Sequence, residues 1–219
     1  MNKDITCKNI IDEVQRQLKL QQVHVCYDSM NEVANRIRSG AHVVYFSVID
    51  NVAEREKYEK KTDEAKKIYK SKSPVIHFPD LTINEIVEIY RCGVEDEYQR
   101  VVSLLVDNNI SIKSEVAFVC FLFLHEVGHW NQLYQKNMLV KMYLEDGIEQ
   151  EKQIFELQNE ILNRILRNND IALLGSDIVI SKKDKEKYHE LQVKYREIPK
   201  EAEADEYAFS MISKLKIKL

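Results

Sequence analysis

The chain has 219 residues, 44% of them hydrophobic and 31% charged, enough apolar material to build one large folded domain. Five glycines and three prolines exclude collagen-like and low-complexity classes. A net charge of −4 and a pI near 5.9 argue against a dedicated nucleic-acid binder, which is ordinarily basic.

Taken in chain order, the first hundred residues alternate between helix-like and strand-like patterns. Apolar residues at Ile10, Ile11, Val14 and Leu18 predict a helix over 9–20. Val23–Tyr27 is short and β-branched and predicts a strand, and 29–39 predicts a helix closed by Gly40. Val43–Ile49 predicts a second strand, 50–72 a long charged helix, and Pro74–Phe78 a third strand ended by Pro79. Thr82 with Glu85 three residues on is a capping box that opens a further helix.

Beyond residue 95 the pattern is helical. Helices are expected over 95–107, 114–136, 149–167, 184–197 and 199 to about 215. Ile154, Leu157, Ile161, Leu162 and Ile165 form the apolar stripe of the third of these. Pro199 suits the first position of the last. Gly175–Lys185 is the most loop-like stretch, and the nearby Lys182, Lys183, Lys185 and Lys187 read as a solvated helix start.

Four cysteines, Cys7, Cys26, Cys92 and Cys120, form no CxxC pair and are too sparse for a disulfide scaffold. The N-terminus has no apolar segment of signal-peptide length. The longest apolar run, Val116–Leu124, has nine residues, less than half of the ~20 a bilayer requires. These features predict a cytoplasmic protein with no membrane and no nucleic-acid partner.

The chemistry lies in His125-Glu126-Val127-Gly128-His129, an HExxH motif that composition alone would produce with a probability of roughly 2%, so coincidence is a poor account. Histidines at i and i+4 share one helix face and can both reach one Zn²⁺. Glu126 then stands beside the open position, placed to take a proton from a water attacking a carbonyl. Gly128 leaves room for a neighbouring element.

Zinc requires a third protein ligand. Gln132 and Gln135 stand where an HExxHxxGxxH pattern would have its glycine and third histidine, so that option fails. The candidate is the segment Glu201-Ala202-Glu203-Ala204-Asp205. On a helix Glu201 and Asp205 share a face, so Glu201 can bind the metal while Asp205 accepts a hydrogen bond from a ligating histidine. Glu203 is the alternative ligand and points away from that face, so both cannot serve. Ala202, Ala204 and Ala208 are small enough for this helix to approach the HExxH helix closely.

HExxH followed by ExEAD-x-[FY]-A resembles the glutamate-zincin metallopeptidases. Two branches are nearest: the ImmA/IrrE-like metallopeptidases and the HtpX and CAAX-prenyl-protease-like enzymes. The phage-exclusion proteases of the Lit type are similar in style. The resemblance implies an α+β, zincin-like fold, with a small N-terminal sheet packed on a mainly helical core. It assigns His125, His129 and Glu201 as zinc ligands, Glu126 as the catalytic base and Asp205 as the residue that orients a ligand. It implies a zinc-dependent protease acting on a specific intracellular protein or peptide, a transcriptional repressor or a phage or defence component. A zinc-binding regulatory protein without turnover, and a non-peptide zinc hydrolase, are the alternatives.

The similarity covers about 13 residues in two patches, and Glu201 lies 72 positions after His129, a long spacing for the ImmA/IrrE-like branch. One domain over 1–219 is expected, with a helical insertion at about 145–194. Val43–Ile49 is the candidate edge strand for an extended substrate. Tyr207 is expected to pack in the core, Trp130 to be a wall of the cleft or part of the core, His189 to be exposed, with a hydrogen-bond donor to the transition state as the alternative, and His24, His42 and His77 to be structural.

Overall fold

The structure is a computed structural model, which describes residues 5–38, 42–47, 75–91, 97–108, 110, 112–135, 147–168 and 180–217. The expected charged helix at 50–72, Gly40 and the stretch 175–179 lie outside the described residues. The architecture is α+β: mostly helical, with one three-stranded sheet.

Helix α1 (Cys7–Leu18) starts two residues before the expected position 9 because Thr6 caps it: the Asn9 amide donates to the threonine hydroxyl. It ends at Lys19, which adopts the left-handed conformation at φ 56° and donates its amide to the Gln15 carbonyl. Strand β1 (His24–Asp28) leads into α2 (Met30–Arg38), β2 (Tyr45–Ser47) and β3 (Val75–Pro79). The strand order is β1-β3-β2, with β1 parallel and β2 antiparallel to β3. Pro79 is the last residue of β3 rather than the first beyond it, paired with Asp28. A proline is tolerated there because the strand end needs no further ladder donor. Of the expected strand over 43–49, residues 45–47 are strand, Val43 and Val44 precede it, and 48–49 lie outside the described residues.

Alternation sorts the sheet. Val25, Tyr27, Phe46, Ile76 and Phe78 face the core, while Cys26, Asp28, Tyr45 and His77 lie on the opposite face. There His77 Nδ1 stands 3.2 Å from both Asp28 oxygens, Asp28 pairs with Arg36 at 2.8 Å, and the Tyr45 ring stacks on His77. His77 is thus part of a buried polar cluster bracing the sheet.

Helix α3 (Ile83–Arg91) opens with the Thr82–Glu85 capping box, the Thr82 amide donating to Glu85 Oε2 at 2.8 Å and the Glu85 amide returning to Thr82 Oγ1 at 3.3 Å. Helix α4 (Glu97–Asp107) precedes the central helix α5 (Ser114–Gln135). Every residue from Val116 to His129 except Gly128 is counted among the buried side chains, and α1, α3, α4, β2, β3 and the last helix all pack on α5. A helix apolar on all sides belongs in the interior.

Helices α6 (Ile148–Asn168) and α7 (Lys182–Arg196) pack on each other around a small separate core of Ile154, Ile161, Ile165, Leu191 and Ile198. Gln158 is buried in that stripe and Leu157 is exposed, contrary to expectation, because the row that faces α7 is 154, 158, 161 and 165. Ser181 caps α7, so Lys182–Lys185 are helical rather than loop. Helix α8 (Pro199–Ile212) has Pro199 at its first position and lies against α5. Tyr207 and Trp130 pack partly buried against the main core. Among the described residues no helix is long and apolar enough to cross a membrane.

Candidate metal centre

The centre forms where α5 and α8 cross. Gly128 makes the crossing close: a Cβ there would sit 2.8 Å from the Ala204 Cα and 3.1 Å from its Cβ. This contact brings the first turn of α8 against the HExxH turn of α5. His125, His129 and Glu201 converge, all buried. The two Nε2 atoms are 3.2 Å apart, His125 Nε2 is 3.3 Å from Glu201 Oε2, and His129 Nε2 is 3.4 Å from Glu201 Oε1.

The outer partners fix both tautomers. Asp205 Oδ1 lies 2.8 Å from His125 Nδ1, and a carboxylate only accepts, so that nitrogen carries the proton. Gln132 donates its amide to the Lys200 carbonyl at 2.7 Å, which leaves Gln132 Oε1 to accept from His129 Nδ1 at 3.3 Å. With the rings neutral, both Nε2 atoms therefore turn lone pairs toward each other and toward a carboxylate. Glu201 Oε2 is buried and faces His125 Nε2 at 3.3 Å. Three lone-pair donors facing one another repel unless a cation or a proton lies among them.

Protonation reflects this conflict. Burial pushes the His125 pKa down, but the hydrogen bonds to Asp205 and Glu201 overcome it and raise it to about 9. Burial likewise opposes the charge on Glu201, yet the two histidines hold its carboxyl well below the usual range. Asp205 is also lowered: burial raises it, and His125 and Arg196 more than offset that. Glu126 is raised, chiefly by burial, with the histidines pulling against it.

The donor set fits zinc. A tetrahedral ion with bonds of about 2.0–2.1 Å separates its ligands from one another by about 3.3–3.4 Å, close to the 3.2 Å between the two Nε2 atoms and the 3.3 and 3.4 Å from each of them to its own oxygen of Glu201. Two imidazoles and a carboxylate leave one position open, and among the described residues the group has no fourth member.

A cavity of about 250 Å³ opens on the centre. Val44, Tyr45 and Phe46 form one side, Phe121, Leu122 and Glu126 another, and Tyr195 and Arg196 a third. The Phe46 ring is 6.4 Å from that of His129. Burial and the neighbouring charge of Glu201 keep the Tyr195 phenol protonated well above its ordinary range. Lys200 pairs with Glu151 at the same cavity.

The structure brings together His125, His129, Glu201, Glu126 and Asp205. Glu203 is exposed on the outer face of α8, and His189 is exposed on α7 away from the cavity. The sequence points to no site role for Gln132, Tyr195, Arg196, Glu97 or Lys200, and His42, expected to be structural, lines the cavity beside Tyr195. Only Gln132 carried a local signal, three residues past His129 on the same helix. No family model, curated protein or solved structure matches the chain.

Proposed function

We propose that the protein is a zinc-dependent peptidase of glutamate-zincin type, with His125, His129 and Glu201 as ligands and Glu126 as general base. The observation that carries this reading is the convergence of two Nε2 atoms 3.2 Å apart with the Glu201 carboxylate, which sets one oxygen 3.3 Å from the first and the other 3.4 Å from the second, all buried and bordering a cavity that Glu126 also lines. A structural zinc site closes all four positions, whereas three ligands beside a cavity match a catalytic one.

Zinc bound there supplies a Lewis acid that polarises a carbonyl oxygen and acidifies water. Glu126, its pKa raised by burial, takes the proton of the attacking water and delivers it to the leaving amine. Asp205 and Gln132 hold the imidazoles in their donor tautomers. Tyr195 keeps its proton and faces the cavity, a donor for charge developing on the carbonyl oxygen. β2 is an edge of the described sheet and contributes Tyr45 and Phe46 to the cavity, which suits an extended peptide added alongside it. The substrate is accordingly a protein or peptide, and a repressor or defence component is the class the family resemblance implies.

Two measurements test this. Purified protein should carry about one zinc per chain by elemental analysis, and His125→Ala or His129→Ala should abolish it. Glu126→Gln should keep zinc and fold but lower turnover of protein or peptide substrates by about 10²–10⁴-fold. Absence of zinc binding rejects the centre. Zinc binding with equal cellular activity of wild type and Glu126→Gln favours a regulatory zinc protein without turnover.

A further inference from the structure

Behind His125 lies a chain of charges drawn from three helices. Arg196, at the end of α7, donates from Nη1 to Asp205 Oδ1 on α8 at 3.1 Å and from Nη2 to Glu97 Oε1 on α4 at 2.5 Å. Glu97 is gripped from its other side by Arg100, through Nε at 2.7 Å and Nη2 at 2.6 Å. Asp205 Oδ1 accepts from Arg196 and from His125 Nδ1 at once. The side chains of Arg196, Glu97 and Asp205 are 23%, 16% and 15% exposed, so these contacts are little screened.

A single histidine–aspartate hydrogen bond orients the imidazole only as well as the aspartate is itself oriented. Asp205 has two side-chain torsions of its own. A guanidinium is a planar fork with donors at fixed spacing, so it can span two carboxylates and transmit the position of one to the other. Glu97 is a firm anchor for that fork, because Arg100 lies one turn along the same helix. The pairing is also electrostatically coherent: two half-buried acids on different helices would repel, and the guanidinium between them removes the conflict.

We propose that Arg196 is a positioning residue of the metal centre: anchored on Glu97, it fixes the Asp205 carboxylate in the orientation that turns His125 toward the ion. The inference rests on the zinc reading above. It also gives the α6–α7 pair a role at the centre, since the residue at the end of α7 reaches His125 through one intermediary.

The test uses the full-length protein with zinc itself as the probe, titrated against a chelator of known affinity. Arg196→Ala should weaken zinc binding by about 10–100-fold, the range for loss of a partner that orients a ligand. Arg196→Lys, a single point of charge in place of a fork, should recover only part of it. In an Asp205→Ala background the same Arg196→Ala change should have almost no further effect, because the two act in series. Circular dichroism of the metal-free variants separates this from loss of fold. Should Arg196→Ala fail to fold, Glu97→Gln examines the other anchor, with a severalfold loss in wild type and none on Asp205→Ala. Wild-type zinc affinity in both Arg196→Ala and Glu97→Gln, or losses undiminished on Asp205→Ala, overturn the proposal while leaving the zinc reading in place. A wild type that binds no zinc overturns both.

Discussion

Glu201 and Glu203 are two residues apart, chemically identical and on one helix, yet one is buried at 3% exposure and the other lies in solvent. The 100° step of the helix makes the difference, because a face that contains 201 contains 205 and excludes 203. Glu201→Ala should therefore remove most zinc affinity, Asp205→Ala should cost about 10–100-fold, and Glu203→Ala should change it little. Chelator competition on the three variants decides the matter, and a loss on Glu203→Ala comparable to that on Glu201→Ala would reverse the ligand assignment. The protonation of His125 gives a second expectation. Zinc requires the neutral ring, and in the metal-free protein that ring holds its proton up to about pH 9. Zinc affinity should thus rise with pH across 7–9 and level off above, with proton release on binding at pH 7 visible in buffers of different ionisation enthalpy. The metal-free fold behaves oppositely: a raised histidine pKa contributes stability fully below about 6.5, and this is lost as pH climbs through 9. A pH-independent zinc affinity between 7 and 9 would contradict this protonation scheme.

The crossing of α5 and α8 depends on Gly128. Glycine in a helix interior costs about 1 kcal/mol relative to alanine, so on helix propensity alone Gly128→Ala should stabilise. The added Cβ, however, would meet Ala204 Cα at 2.8 Å, and that atom is backbone and cannot swing aside. Overpacking of this kind costs about 1–3 kcal/mol. Gly128→Ala should therefore be neutral to destabilising in thermal melts, and it should weaken zinc binding by moving Glu201 outward from the two histidines. Unchanged zinc affinity with a higher melting temperature would show that the helices can separate without disturbing the centre. The capping devices are of the opposite kind. Thr82 with Glu85 and Ser181 with Asp184 start their helices through contacts three residues apart and need no partner element.

Across the whole molecule, the proposed zinc ligands join the main core on α5 to α8, while α7 enters through Arg196 and the small core of Ile154, Ile161 and Leu191 supports α6 and α7. The proposed site exists only where α5 and α8 are docked, so zinc bound there should stabilise the folded chain by mass action. At a free zinc concentration a hundred times its dissociation constant the gain is about 2.7 kcal/mol. For a chain of this size that corresponds to a rise in melting temperature of roughly 5–10 °C. Differential scanning calorimetry with and without chelator measures it, and a melting temperature indifferent to zinc would place the ion, if bound, away from this crossing.

Periodicity and short motifs are local properties, and where the argument was local the sequence sufficed. His125 and His129 share a face because they are four apart in a helix. Residues 116–124 are interior because they are apolar on every side. Thr82 announces the start of α3. The segment 201–205 could be placed on a helix, with Glu201 paired to Asp205, from spacing alone. Strand ends and the tilt of the α6 stripe were legible only to within a residue or two, since pairing with β3 and contact with α7 set them. Beyond Asp205 the surroundings of the centre were not legible. Arg196 meets Glu97 across 99 positions, and Tyr195 and His42 reach one cavity from opposite ends of the chain. Charge and ring pairings of that kind leave no periodic trace, because packing in three dimensions selects which buried acid a given guanidinium neutralises.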